Sequence, residues 1–136
     1  LISFREMKFL EAEALLATSG SGTAIHTAYI AGITASFAHL GISNVELDGY
    51  LAGASVDPGV GNVTLEHIMT QKYIALFTHL EVYNDWRRTG IPILFPVSGS
   101  NIPVRFPYGS DEHLFNSEAP DAESVDVFTA KDGWDN

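Results

Sequence analysis

The chain has 136 residues, 46% of them apolar, so it is large enough to bury a core as a single domain. Its 17 acidic residues against 7 basic ones give a net charge of −10, which argues against a nucleic-acid partner, because such a partner requires a basic surface. There is no cysteine, which excludes disulfides, thiol nucleophiles and zinc–thiolate sites within the sequence, and no apolar run approaches the length of a membrane span.

The first two helices are predicted from their end signals. Ser3 and Glu6 form a capping-box pattern that starts a helix running to about Ala17. A run of glycine, serine and threonine then breaks the chain, and a second helix is predicted from about Thr23 to Leu40. This second helix carries a stripe of small residues beside a stripe of larger ones: Ala24, Ala28, Ala31 and Ala35 beside Ile25, Tyr29, Ile33 and Phe37. The two stripes predict a helix packed on two sides, with one neighbour approaching closely.

Two further helices follow. The third is predicted to start after Asn44 and to end near Gly53, and it is followed by a turn-rich loop at 57–62. The fourth is predicted as one continuous helix over residues 64–89, because apolar residues keep the helical period over about five turns. Two arginines fall in its last turn, where cations suit the helix dipole, and Gly90 and Pro92 then form a stop signal.

The remaining quarter of the sequence has a different composition. Prolines punctuate residues 91–136, and eight of the chain's acids, with a single lysine, fall within residues 111–136. We expect this part to be an ordered, extended, acidic meander that wraps the helices, because its apolar side chains need packing partners: Phe95, Phe106, Tyr108, Leu114, Phe115, Phe128 and Trp134. Val104 and Phe106 are expected in a short strand or an extended run.

The fold prediction is therefore all-α. Residues 1–90 are expected to form stacked, tetratricopeptide-like helical hairpins, followed by the proline-rich meander over residues 91–136. We interpret residues 1–136 as a single segment from the C-terminal part of a larger protein.

No catalytic or metal-binding constellation emerges from the polar residues. Glu11 and Glu13 are two positions apart on a helix and do not face each other, so they cannot flank a substrate. The five histidines form no metal-binding pattern, and no serine lies in a nucleophile motif. Neither a cofactor nor a metal is predicted, and the protein is predicted not to be an enzyme.

Aromatic side chains are the remaining candidates for ligand contact. Sugar-binding sites place aromatic rings against the apolar sides of pyranose rings, and Tyr83, Trp86, Tyr108 and Trp134 are suitable by type. Trp86 continues the apolar stripe of the fourth helix, so core packing is the favoured interpretation for it. Tyr108 and Trp134 lie in the meander and are retained as candidate ligand-binding residues.

One long stretch of the sequence indicates a protein family more specifically than any single residue does. The C-terminal hallmark of the SusD/RagB-like family resembles residues 73–77 (YIALF) followed by 81–92 (EVYNDWRRTGIP). The sequence of this stretch is most similar to the SusD-like branch of the family. Further similarities follow in the family's order, at residues 7–14, 32–37 with Gly41, 102–108 with Glu112 and Asn116, and at Trp134-Asp135.

This resemblance implies a function and a location. Members of the family are helical outer-membrane lipoproteins of Bacteroidetes-type bacteria that capture glycans, or in some branches peptides, without cleaving them. They deliver the nutrient to a TonB-dependent transporter and are lipid-anchored through an N-terminal cysteine, which is absent from this sequence. The N-terminal part of the same protein and the transporter are thus the implied partners.

The hallmark itself is expected to have a structural role. Its members are Asp85, Trp86, Arg87, Arg88, Gly90 and Pro92. Asp85 and Arg88 are three residues apart on a helix and are predicted to pair, while Trp86 is expected to bury against the preceding hairpin. Two other functions stay open from the residues alone: a helical-repeat adaptor for protein partners, and a fragment of a carbohydrate-active hydrolase.

Overall fold

A computed structural model describes residues 2–99, 101–118 and 126–129. Within this part of the chain there are six helices and no strand. Their bounds are Phe4–Ala17 (α1), Gly22–Leu40 (α2), Asn44–Leu51 (α3), Leu65–Ala75 (α4), Glu81–Thr89 (α5) and Ser110–Phe115 (α6). The predicted all-α class is confirmed.

The ends of the first three helices follow from local chemistry. The Ser3 hydroxyl accepts a hydrogen bond from the Glu6 N–H, and the Glu6 carboxylate accepts one from the Ser3 N–H, which completes the predicted capping box. Ser43 caps α3 in the same way. Gly41 ends α2 with a φ of 69°, a left-handed conformation that glycine adopts without steric cost.

The core lies where α1 and α2 form a hairpin and α4 packs against both of them. Its largest fully buried apolar side chains are Phe9, Tyr29, Ile68 and Met69. Gly32 on α2 lets the Phe9 ring approach closely, because a Cβ at this position would lie 2.9 Å from Phe9 Cζ. This close approach occurs at a glycine that is not part of the predicted small-residue stripe of Ala24, Ala28, Ala31 and Ala35.

The prediction of one continuous helix over residues 64–89 was wrong. The chain leaves the helix after Ala75, passes through Thr78 with a φ of 77°, and restarts as α5 at Glu81. In a continuous helix, Lys72 and Asp85 would lie about 20 Å apart along the axis. In the structure Lys72 Nζ lies 2.6 Å from Asp85 Oδ2, so the break brings together two buried charges that a straight helix would separate.

The meander also differs from its prediction. Its described residues include the short helix α6, and of the two forms predicted for Val104 and Phe106, a short strand or an extended run, the strand is not formed. The expectation that its aromatic and aliphatic side chains would be buried was wrong, because Phe95, Phe106, Leu114 and Phe115 are all exposed. The prolines divide the segment into pieces too short to lay a continuous apolar side against the helices.

No helix in the described part of the chain combines the length and the apolar character that crossing a membrane requires.

Candidate functional site

One side of α5 is held in the protein by ion pairs. Asp85 is buried, and its two oxygens lie 2.6 Å from Lys72 Nζ of α4 and 3.1 Å from Arg88 Nη2, so the predicted Asp85–Arg88 pair is present. Arg88 also reaches Glu13 of α1 at 2.6 Å, and this hydrogen bond raises the pKa of the guanidinium. The four charges therefore connect α5 to both α4 and α1.

The end of α5 is fixed by hydrogen bonds that start from the same buried residue. The Thr89 hydroxyl donates to the Asp85 carbonyl at 2.7 Å and accepts from the Ile91 N–H at 3.2 Å. Gly90, with a φ of 70°, ends the helix, and Pro92 follows half-buried. These contacts set the direction in which the chain leaves the helix toward the meander.

The other side of α5 carries aromatic rings that meet the meander. Tyr83 stacks on Trp86 with ring centroids 6.2 Å apart and an interplanar angle of 25°, and it contacts the Phe106 ring at 5.6 Å. The Tyr83 hydroxyl donates to the Pro103 carbonyl at 2.7 Å, which holds residues 101–108 beside the helix. We call these three rings, together with that of Tyr108 two residues after Phe106, the aromatic face.

Two guanidinium groups flank the aromatic face. The Arg87 guanidinium lies 5.6 Å from the centre of the Tyr83 ring, and the Arg105 guanidinium lies 5.1 Å from the centre of the Tyr108 ring. Both distances are within the range of cation–π attraction. The arrangement thus combines flat apolar surface with hydrogen-bond donors at its border, which suits a ligand that has an apolar side and hydroxyl groups at its edges.

The predicted site residues differ in their positions and burial in the structure. Tyr108 belongs to the aromatic face and is 38% exposed, whereas Trp134 lies outside the described residues. Trp86 is half-buried rather than part of the core, and its ring stacks on that of Tyr83.

Phe106 and Arg105 were not predicted from the sequence as ligand-site residues. No local sequence signal indicates this role, because it depends on residues 101–108 crossing α5, which the hydrogen bond from Tyr83 to Pro103 shows. Both residues lie inside residues 102–108, one of the stretches that resemble the family.

The histidines serve separate local contacts. His26 Nε2 lies 2.7 Å from Asp57 Oδ1, and this hydrogen bond lowers the pKa of the Asp57 carboxyl. His67 contacts the hydroxyl of Thr64 at the start of α4, and His79 lies 3.4 Å from an Arg5 nitrogen. Within the described residues there is no group of three or more side chains that could hold a metal ion.

Comparison with known proteins identifies the family. The sequence model of the SusD-like family, described as starch-binding and associating with the outer membrane, matches residues 1–109. A search of curated proteins and a search of solved structures gave no match. The matched region includes α1 to α5 and the whole aromatic face, and it extends over most of the sequence. The chain therefore belongs to the SusD-like family, whose description is starch binding in association with the outer membrane.

Proposed function

We propose that this protein captures oligosaccharides of the starch type without cleaving them, and that the aromatic face contacts the sugar rings. The observation that carries this proposal is the clustering of the Tyr83, Trp86 and Phe106 rings, with two guanidinium groups at the border. The membership in a starch-binding family supports the ligand class. Peptide ligands remain the second ligand class within the same proposal.

The exposure of the rings supports a role in ligand contact. Phe106 is 65% exposed, although an aromatic side chain of this size gains about 1.5–3 kcal/mol when it is fully buried. Tyr108, two residues further along the chain, exposes 38% of its surface. A pyranose ring stacked on these side chains would cover their apolar surface, while its hydroxyl groups would accept hydrogen bonds from arginine.

We further propose the setting in which the capture occurs. The captured sugar passes to a TonB-dependent transporter, and the protein is held at the bacterial outer membrane by a lipid on a cysteine outside this sequence. The N-terminal part of the same protein supplies the remainder of the ligand site. These proposals rest on the family's association with the outer membrane and on the sequence resemblance.

The hydrolase alternative receives no support from the described carboxyl groups. A glycosidase requires an acid whose pKa is raised in a cleft. The carboxyl groups whose pKa departs from its ordinary value all shift downward: Glu46 through its hydrogen bond to Ser43, Asp57 through His26, and Asp126 through the Phe128 N–H. The carboxylate nearest the aromatic rings along the chain, Asp85, is held by two cations.

Calorimetric titration of the chain with maltoheptaose tests the proposal. We expect saturable binding with no product detected by chromatography after prolonged incubation. Phe106→Ala and Tyr108→Ala should each weaken binding roughly tenfold, because a stacked ring contributes about 1.4 kcal/mol.

Phe95→Ala is the matched control. Phe95 lies in the same proline-rich segment and is 85% exposed, but it is not part of the aromatic face. Affinity should be unchanged in this variant. An absence of binding, or an equal loss of affinity in Phe95→Ala and Phe106→Ala, would contradict the assignment of the aromatic face, and the release of shorter sugars would contradict capture without cleavage.

A further inference from the structure

The aromatic face depends on where residues 101–108 lie, because two of its rings, Phe106 and Tyr108, belong to that segment. We call residues 101–108 the strap. The strap contains neither helix nor strand, so no regular secondary structure fixes its backbone. Its position must therefore come from contacts with other parts of the chain.

One peptide group of the strap is hydrogen-bonded at both of its polar atoms. The Pro103 carbonyl accepts a hydrogen bond from the Tyr83 hydroxyl of α5 at 2.7 Å. The Val104 N–H of the same peptide group donates to the Val127 carbonyl at 2.8 Å. The carbonyl and the N–H of a trans peptide point in opposite directions, so the strap is held between α5 on one side and Val127 on the other.

The Val127 carbonyl also binds the next residue of the strap. The Arg105 N–H donates to it at 3.3 Å, so one carbonyl accepts hydrogen bonds from two consecutive N–H groups. These bonds fix the backbone directly before Phe106, whose ring lies 5.6 Å from that of Tyr83. The placement of the Phe106 ring beside α5 therefore depends on a carbonyl that comes much later in the chain.

Asp126 forms the turn that presents the Val127 carbonyl. Its Oδ1 accepts a hydrogen bond from the Phe128 N–H at 2.9 Å, and its Oδ2 accepts one from the Thr129 hydroxyl at 2.7 Å. The hydrogen bond from Phe128, followed by that from Thr129, lowers the pKa of the Asp126 carboxyl. An aspartate that binds the backbone two residues further on is a common means of fixing a turn. Val127 lies between the two bonded residues, and its carbonyl is directed to the strap.

The carboxylate of Asp126 is engaged inside its own turn. Both of its oxygens accept hydrogen bonds from residues of that turn, which suits holding the backbone better than contacting a ligand. Residues 126–129 also follow the region, 1–109, that matches the family model. Membership in the family therefore does not by itself supply this contact with the strap.

We propose that Asp126 is a positioning residue of the aromatic face: its turn holds the strap against α5 and so keeps Phe106 and Tyr108 in place to stack on a sugar. The effect on binding rests on the proposed sugar capture, whereas the hold on the strap requires no ligand. If the strap is in place only part of the time, the apparent dissociation constant rises in inverse proportion to the fraction of chains with the strap in place.

Hydrogen exchange of single amides, followed by NMR, tests the hold on the strap directly. In Asp126→Ala the Val104 and Arg105 amides should exchange roughly fivefold faster, the factor that one net hydrogen bond contributes to an equilibrium. Asp126→Asn should retain most of the protection, because its side-chain oxygen still accepts from the Phe128 N–H. The amides of Phe9 and Tyr29 in the core should exchange at unchanged rates, which separates a released strap from general unfolding.

Calorimetric titration of the same variants with maltoheptaose tests the consequence for the aromatic face. Asp126→Ala should raise the dissociation constant roughly two- to fivefold, since the fraction of chains with the strap in place falls by at most the factor seen in exchange. Asp126→Asn should restore most of the affinity. Asp111→Ala is the matched control for charge, because it removes an exposed acid of α6 outside the turn, and it should leave the affinity unchanged.

The outcomes separate this inference from the proposed sugar capture. Unchanged exchange of the Val104 and Arg105 amides in Asp126→Ala would overturn the inference, and so would faster exchange that extends to the core. Equal losses of affinity in Asp126→Ala and Asp126→Asn would also overturn it, because the charge rather than the turn would then be responsible. An absence of heat from the unmodified chain would contradict sugar capture, and the exchange rates would still decide whether Asp126 holds the strap.

Discussion

The buried pair between Lys72 and Asp85 permits the most direct test of how the hallmark motif stabilises the protein. The variant is Asp85→Asn, which keeps the size of the side chain and removes its charge. The Lys72 side chain is 1% exposed and the Asp85 side chain 10% exposed, so the amine would be left in the protein interior without an anion. Removing one partner of a buried pair costs about 3–5 kcal/mol. The expected loss for Asp85→Asn is therefore about 3–5 kcal/mol in the free energy of unfolding, which is a large part of the stability of a small domain.

Arg88→Gln is the matched comparison in the same group of charges. Arg88 pairs with Glu13 and Asp85 at distances similar to that of the Lys72 pair, but its side chain is 43% exposed. Solvent screening should limit its loss to about 1 kcal/mol or less. The difference between the losses in free energy of unfolding of the two variants then shows how strongly burial determines the contribution of an ion pair.

Urea unfolding at pH 7, followed by far-UV circular dichroism, measures these free energies. The double variant Lys72→Met with Asp85→Leu should recover most of the stability, because an apolar pair of similar volume carries no desolvation penalty. If Asp85→Asn were within about 1 kcal/mol of the unmodified chain, or if the double variant were no more stable than the single one, the pair would not have the role assigned to it.

Three other predictions concern stability. Gly32→Ala should destabilise the protein by about 1–3 kcal/mol, because the new Cβ would lie 2.9 Å from Phe9, whereas Gly49→Ala in α3 meets nothing within 4 Å and should stabilise it by up to about 1 kcal/mol. Thr78→Gly should be stabilising in thermal unfolding, since a β-branched residue is strained at a φ of 77°. The lowered pKa of Asp57 implies a contribution to stability that is present above its unfolded pKa of about 3.9 and is lost as the pH falls through its folded pKa. The Asp57→Asn variant should therefore lose less free energy of unfolding on acidification than the unmodified chain does. The same dependence on pH in both proteins would contradict this prediction.

Local chemistry explains which helix ends were predictable. The starts of α1 and α3 and the end of α2 depend on residues within four positions of each other, such as Ser3 with Glu6, and on the glycine at position 41. The break between α4 and α5 depends on contacts that are distant in sequence. Apolar residues continue through the break with helical spacing, so periodicity alone indicated a single helix.

The aromatic face was predictable only in part for the same reason. Tyr83, Trp86 and Tyr108 could be proposed by residue type, but their grouping depends on residues 101–108 passing α5, which no local pattern specifies. Phe106 was expected to be buried because it is apolar. In the structure it is exposed beside Tyr83, and this exposure made it a candidate for ligand contact.

The residue types of the hallmark motif match the different contacts on the two sides of α5. Arg88 and Thr89 lie three and four positions after Asp85. The three residues contact the buried lysine of α4, the glutamate of α1 and the backbone at the helix end. Tyr83 and Trp86 have the same spacing on the other side, where they meet each other and the meander. A helix of nine residues is too short to be stable alone, so both sets of contacts are required to keep it folded. The ion pairs that fix α5 to the core therefore also position the rings that we propose as the sugar-binding surface.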